Sequence, residues 1–418
     1  MHFRKMTAGV LAGALVMASH GTLAASWTLE QVARQALASH PDIVGKEYSL
    51  DAAEANVQGA KWQRFPTLGV EAGKANDGSP RFTDISVTQP IWTGGRITGG
   101  IASAEASKDA ASAGVDEARQ DVLLRVMTAY VEAMRQQARE NVAEREVAQH
   151  QQLLDMINRR VAAQASARVD AQLAESRLYQ ANDDLSTAQQ ALATALVQLS
   201  QLTGKPVDSV SDYDIKSLPM PGSLDNALDR ATGASPTLLR LNFERDAALA
   251  DVKVKKAAVM PQVSVRFDQF YGQDPIVNNT QRGSRVMLLI EAQPGAGLSA
   301  VSAVKAAQAA AAAAEQASAS AKRDLSLNVA ADWNDLNGSR VRFANTRLSS
   351  ESSKAVYESY VRQYSAGKKS WLDVMNTVRE SIQADMNVID ARAQMTAAAL
   401  RLEVRTGDLS FIGNGDSN

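Results

Sequence analysis

Trp371, Met375, Val378, Ile382, Met386 and Ile389 fall three or four residues apart with polar residues between them. That spacing predicts a helix that buries one stripe and leaves its other faces in water. The stripe belongs to one of four long runs without proline: Thr98 to Ile157, Ser166 to Leu202, Leu298 to Tyr360 and Ser370 to Val404. A run of roughly 60 residues, at about 1.5 Å each, makes a helix of about 90 Å, far beyond the usual globular length. Elsewhere the period changes. Val263, Val265 and Phe267 alternate with Gln262, Ser264, Arg266 and Asp268, the pattern of a strand with one apolar and one polar face. Four segments read as strands, "TLGVEAGKA", "FTDISVTQP", "QVSVRFDQF" and "SRVMLLIEAQP". They are expected as two distant hairpins with open edges, and open edges cannot be left in hydrocarbon.

These elements are written twice in one order. "TLEQVARQALASHPDI" from Thr28 has its echo in "SLDNALDRATGASPTL" from Ser223, so Pro41 and Pro236 stand 195 residues apart, as do Pro66 and Pro261. Pro90 and Pro294 are 204 apart, and the pairs Asp170/Asp373 and Gly204/Gly407 are 203 apart. The extra length falls in the turn-rich link "YGQDPIVNNTQRG". Each unit opens with a short helix, capped in the first by Thr28 with Gln31, followed by a helix that starts at Pro41 or Pro236 and is stopped before Pro66 or Pro261. The strand pair and the long helical hairpin complete the unit. The repeats are assigned to residues 25–210 and 211–410, with 411–418 as a C-terminal tail.

Residues 1–24 read as a signal peptide: basic Arg4 and Lys5, an apolar run from Met6 to Met17, then small residues. Without them the formal charge moves from -2 to -4, which leaves no basic field for nucleic acid. No later stretch holds 18 consecutive hydrocarbon-like side chains, so a transmembrane helix is not expected. The chain has no cysteine; disulfides and a lipid anchor on cysteine are both excluded. Long helices with small, charged and polar outer faces are expected to pack laterally with further copies of the chain.

Three stretches carry a resemblance: "VTQPIWTGGRITGGIASAEAS" from Val87, the weaker "EAQPGAGLSAVSAVKAAQ" from Glu291, and "YSAGKKSWLDVMNTV" from Tyr364, with "LASHPDI" at Leu37 ahead of them. In this order and spacing the chain resembles the outer-membrane efflux protein family, the trimeric channel-tunnels typified by TolC. The resemblance implies an α+β membrane protein. Four strands per chain would build a trimeric, twelve-stranded outer-membrane β-barrel continuous with a long periplasmic α-helical barrel. It implies a homotrimer in outer-membrane lipid that docks with a periplasmic adaptor protein and an inner-membrane ABC or proton-driven exporter. Type I protein secretion and small-molecule efflux stay equally open. Pro66, Pro90, Pro261 and Pro294 would mark the barrel-to-tunnel transition.

The same resemblance assigns the helical tips. Asp373 falls at a periplasmic gate aspartate and Asn376 where some relatives carry a second acid. Tyr364 and Lys369 match residues that tie the inner hairpin to its neighbour, with Asp170 on the opposing tip as the partner of Lys369. Val169, beside it, has no hydroxyl to accept a tie. Gly367 supplies an easy turn in the second unit, where the first has Gln164.

Two other classes of function are tested by the residues. An enzyme finds little to use: His40 and His150 are the only histidines after residue 24, and neither a metal set nor a catalytic triad has its spacing. No cofactor is expected. "TGGRITGG" lacks the phosphate-loop spacing and its lysine-serine pair, and reads instead as a strand-to-helix bend. A periplasmic coiled-coil structural or adaptor protein without its own pore is the alternative reading. It accounts for the helices and leaves the matched strand pairs unexplained.

Overall fold

The computed structural model describes residues 26–74, 82–215, 220–271, 283–292, 295, 297 and 299–408. The expected signal peptide, the C-terminal tail and Pro294 lie outside them.

Two short helices open the two halves of the chain. α1 (Leu29–Ser39) begins in a full capping box, with the Thr28 hydroxyl accepting from the Gln31 N–H at 3.2 Å and the Gln31 amide oxygen accepting from the Thr28 N–H at 3.0 Å. α2 (Pro41–Trp62) follows at once. Its counterparts α5 (Leu224–Ala234) and α6 (Pro236–Ala257) have the same 11 and 22 residues. Proline at the first helical position forfeits no bond there, because that N–H has no partner within a helix. Both second helices end four residues short of the next proline.

The strands are β1 (Thr67–Gly73), β2 (Phe82–Trp92), β3 (Gln262–Tyr271) and β4 (Gly283–Glu291). They form one antiparallel sheet in the order β1-β2-β3-β4. This corrects the expectation of two distant hairpins: β2 and β3 pair along nine positions, so only the outer edges of β1 and β4 stay open. Residues nearly 200 apart in sequence meet there, which local patterning cannot reveal.

α3 (Arg96–Ala162) and α7 (Ser299–Ser365) each run 67 residues, about 100 Å at the helical rise. α4 (Arg168–Thr203) and α8 (Trp371–Arg405) return beside them. α3 packs on α4 and α8, and α8 on α7; nearer the sheet the neighbours are α2 with α3, α3 with α6, and α6 with α7. One core lies midway, where α1 and α5 cover the long helices with Val32, Ala36, Ala227 and Ala231 against Val126, Met127 and Leu400. Alanine at so many contacts lets backbones approach closely, which suits shallow packing between thin elements. Tyr130 ties this belt together. Its hydroxyl lies 2.8 Å from the Ser211 carbonyl and 3.1 Å from that of Trp27, whose own segment forms a parallel bridge with Val210.

Candidate functional site: the sheet and the helical tips

The strand register sorts side chains by chemistry. Leu68 stands opposite Val87, Val70 opposite Ile85, Val87 opposite Phe267, Val265 opposite Leu288 and Phe267 opposite Val286. All share one face, because side chains alternate along a strand. Val286, Leu288 and Ile290 are at least 65% exposed, an apolar surface that water does not favour. The other face carries Ser86, Thr88, Ser264, Arg266, Asp268 and Arg285, interrupted on β4 by Met287 and Leu289. Asp268 is fully buried there between the guanidinium groups of Arg266 and Arg285, the latter at 2.9 Å, and Arg266 also reaches Asp84 at 3.3 Å. A sheet apolar on one side and polar on the other fits a wall between hydrocarbon and a water-filled lumen.

At the end of the sheet nearest the helices, Trp62, Phe65 and Trp92 are exposed, and the Trp62 and Phe65 rings lie 5.1 Å apart. Aromatic rings of this kind concentrate where hydrocarbon meets water. Pro66 and Pro261 stand immediately before β1 and β3, and Pro90 lies within β2 where the register shifts before Trp92. A proline has no N–H for the ladder, so an irregularity there is expected. The chain then bends into α3 through Gly94 and Gly95, with φ of 60° and 97°. A β-carbon on Gly94 would come within 2.9 Å of Met260, so the glycine string serves a tight strand-to-helix exit.

At the far end the α3–α4 and α7–α8 hairpins share a small core: Leu153 and Ile157 of α3, Ala174 of α4, Tyr364 of α7, and Trp371, Val374, Met375 and Val378 of α8. Gly367 turns the second hairpin with φ of 74°. Gln164 makes the same turn at φ 56°, the sole non-glycine residue with positive φ among those described. Matching bonds close both turns, Ala165 N–H to the Arg160 carbonyl and Lys368 N–H to the Gln363 carbonyl, each at 2.8 Å.

The assigned tip residues are brought together in part. Tyr364 is buried and its hydroxyl lies 3.1 Å from the Ser166 hydroxyl of the opposing tip. Arg160 donates to Ser166 at 3.2 Å and stacks over the Tyr364 ring at 4.8 Å. Ser166 and Arg160 were not among the expected residues. The signal was present, since Ser166 is the only hydroxyl in "RRVAAQASARVD" and supplies the hydroxyl that Val169 lacks. Within the chain, the expected Lys369–Asp170 pair gives way to another contact. The Lys369 ammonium lies 4.3 Å from the centre of the Tyr360 ring, and among the described residues no ion pair joins it to Asp170. Lys369 precedes the N-cap of α8 and leans back along α7, away from the first turn of α4 where Asp170 sits.

Asp373 is engaged locally. Its carboxylate accepts the Ser370 N–H at 3.1 Å while the Ser370 hydroxyl accepts the Asp373 N–H at 3.2 Å, a capping box at the start of α8. The hydrogen bonds from Ser370, and then the charge of Lys369, hold its carboxyl below the ordinary carboxylate range. Asn376 is exposed one turn further on, accepting from Arg379 at 3.4 Å.

Comparison with known proteins decides the family. A model described as "Outer membrane efflux protein" matches residues 32–205 and 227–408. The chain belongs to that family. It is 22% identical to the outer membrane protein TolC of Vibrio cholerae serotype O1, over 94% of each sequence. Among solved structures, the outer-membrane channel OprN has a TM-score of 0.79 at 20% identity, covering 91% of this chain and 90% of its own. The outer membrane protein VceC from Vibrio cholerae has a TM-score of 0.77 at 15% identity, covering 91% and 96%. Family membership makes this chain an outer-membrane efflux channel-tunnel that reaches into the periplasm, a transport protein and not an enzyme. It also makes an adaptor and an inner-membrane exporter its class of partner.

Proposed function

We propose that three copies of the chain close into one ring, with twelve strands in the outer membrane and a continuous helical tunnel below. The observation that carries this reading is that the sheet and the helices end on the same two flanks. On one flank lie the free edge of β1 and the outer helices α2 and α4; on the other lie the free edge of β4 and α7. Both flanks expose large apolar side chains: Tyr48, Tyr179 and Val197 on the first, and Leu327, Val341, Leu348 and Val356 on the second. The α7 residues are spaced by fourteen, seven and eight positions, close to whole multiples of a heptad, so they share one stripe. A flank of one kind meets a flank of the other in the next copy, and such a head-to-tail contact must either close a ring or grow without end. Ring closure also removes both strand edges, a requirement in hydrocarbon.

The same element order in the two halves, with α1, α2 and α3 equal in length to α5, α6 and α7, fits an internal duplication with units at 25–210 and 211–410. Threefold symmetry would set three Asp373 carboxylates around the tunnel entrance, with Asn376 beside them. The Tyr364–Ser166 contact would hold the two hairpins of each chain together, and Lys369 and Asp170 would be free to face neighbouring copies. Substrate would arrive from an adaptor and an ABC or proton-driven pump, which supply the energy. The test is the mass of the detergent-solubilised protein together with its conductance in planar bilayers. Three chains and discrete channels are expected; a monomer or dimer without conductance would refute the ring.

A further inference from the structure

A cleft of about 370 Å³ opens where the sheet meets the first turn of α3, lined by Arg64, Ile91, Trp92, Thr93, Ile97 and Thr98. The bulge in β2 sets the side on which it opens. Pro90 stands opposite Ser264 and Trp92 opposite Val263, so the extra residue, Ile91, turns Trp92 onto the face that carries Val263, Val265 and Phe267. Gln89, opposite Val265 on that face, donates from Nε2 to the Arg64 carbonyl at 2.9 Å and fastens the end of α2 against β2. The cleft therefore lies on the apolar side of the sheet, at the end that joins the periplasmic helices.

Arg64 is the one charged residue lining the cleft. It is exposed, and among the described residues its guanidinium has no ion pair or hydrogen-bond partner. The polar groups around it are engaged. Lys61 pairs with Glu105 at 3.0 Å, the Thr93 hydroxyl accepts from the Ile97 N–H at 3.4 Å, and the Thr98 hydroxyl donates to the Gly95 carbonyl at 3.1 Å. A free cation and an exposed indole thus share one cleft at the edge of an apolar band, with the exposed rings of Trp62 and Phe65 beside Arg64 in sequence.

The second half of the chain lacks these residues. At the offset of 195 that relates Pro66 to Pro261, Trp62, Arg64 and Phe65 correspond to Ala257, Val259 and Met260; at the offset of 204 that relates Pro90 to Pro294, Trp92 corresponds to Ala296. Both halves join a strand pair to a long helix, so that junction by itself calls for neither the arginine nor the tryptophans.

We infer that this cleft seats the headgroup of an anionic phospholipid in the periplasmic leaflet of the outer membrane. Arg64 donates to two phosphate oxygens, a task its planar guanidinium suits. Trp92 and Ile91 cover the glycerol, and the acyl chains run along the apolar face past Val263 and Ile290. A zwitterionic headgroup brings its own ammonium toward the guanidinium, whereas an anionic one leaves that charge unopposed. One arginine at an anionic membrane surface corresponds to about a fivefold preference. The inference rests on the channel reading, which puts lipid on this face.

The test uses detergent-solubilised full-length protein mixed with equal amounts of phosphatidylglycerol and phosphatidylethanolamine of the same acyl chains, repurified by size exclusion, with retained lipid counted by mass spectrometry. At about 0.15 M salt wild type should retain phosphatidylglycerol about fivefold over phosphatidylethanolamine. Arg64→Gln should retain the two equally, and Arg64→Lys, which restores the charge, should keep the preference. Trp92→Ala should lower retention of both lipids and leave their ratio unchanged. Equal retention by wild type overturns the inference, as does an undiminished preference in Arg64→Gln. Loss of the preference in excess inorganic phosphate, but not in chloride of the same ionic strength, would assign the cleft to free phosphate and overturn it too. Retention is read whether or not the protein conducts, so a wild type without preference defeats the inference even where channels form. A preference without conductance counts against the channel reading alone.

Discussion

Glu403 offers the sharpest test of the helical core. It lies near the end of α8, is fully buried, and neither carboxylate oxygen has a hydrogen-bond partner. Burial, with the charge of Asp408, pushes its carboxyl up to about 7 against the opposing influence of Arg230. The folded chain therefore holds this proton more tightly than the unfolded chain does. Stability from the group is fully present below the unfolded value, near about 4.3, and is lost as pH rises through about 7. A shift of this size corresponds to about 3 kcal/mol per chain at pH 8. Glu403→Gln replaces a protonated carboxyl with an amide of nearly equal volume, so at pH 5 the two proteins should agree within about 1 kcal/mol. At pH 8 the variant should unfold at a temperature higher by about 4 °C, given an unfolding entropy of about 0.8 kcal/mol/K for a chain of this length. The assay is calorimetry at both pH values and a fixed scan rate. Wild type will still decline with pH in part through Glu146 of α3, whose carboxyl is likewise pushed up to about 7 by burial and the charge of Asp184, so the variant should lose a portion of the slope and not all of it. An unchanged slope in Glu403→Gln, or equal destabilisation at both pH values, would refute the argument that this carboxyl is buried neutral.

Four further outcomes are expected. Leu288→Lys should reduce outer-membrane insertion more than Ser264→Lys, by about 2 to 4 kcal/mol if the site lies near mid-membrane; equal recovery of both in the membrane fraction would refute the assignment of the apolar face to lipid. Gly367→Ala should destabilise the tip by about 1 kcal/mol while Gln164→Gly is neutral or stabilising, because both turns require positive φ; denaturation midpoints of the two variants moving in the same direction would contradict this. Asp373→Asn should weaken block by multivalent cations with α8 intact, whereas Asp373→Ala also loses the capping bond to Ser370, and the pair can be separated by comparing bilayer block with helix content. Lys369→Ala should leave resting conductance unchanged, because its contact within the chain is the Tyr360 ring; a raised conductance would mean that Lys369 reaches a neighbouring copy in the proposed trimer.

Much of this architecture was legible in the chain because its determinants are local. The capping box at Thr28, the prolines at the first positions of α2 and α6, and the alternation from Gln262 to Asp268 each act within a few residues. The return of the apolar period after Ser370 likewise requires only α8. What escaped depended on geometry between distant segments. Val87 meets Phe267 across 180 residues, and no periodicity announces that two hairpins share a sheet. At the tips, the family resemblance set Lys369 against Asp170 of the opposing hairpin, but side-chain direction sends Lys369 to an aromatic ring. Ser166 takes the tie from three positions before Val169, since the turn at Gln164 brings it, and not Val169, beside Tyr364.

The two unlike flanks of the chain have a genetic consequence. In the proposed ring of three, every copy must offer a sound β4–α7 side to one neighbour and a sound β1–α2–α4 side to the other. A substitution that ruins one side leaves the other able to capture a normal copy, which is then withheld from productive rings. When such a variant and the normal chain are made in equal amounts and mix at random, only about one ring in eight contains normal chains alone. Flank lesions should therefore be dominant over the normal gene, while lesions of the buried belt, which stop a chain from folding and presenting either side, should be recessive. Two variants damaged on opposite flanks can form one good junction but never a closed ring, so they should fail to complement each other.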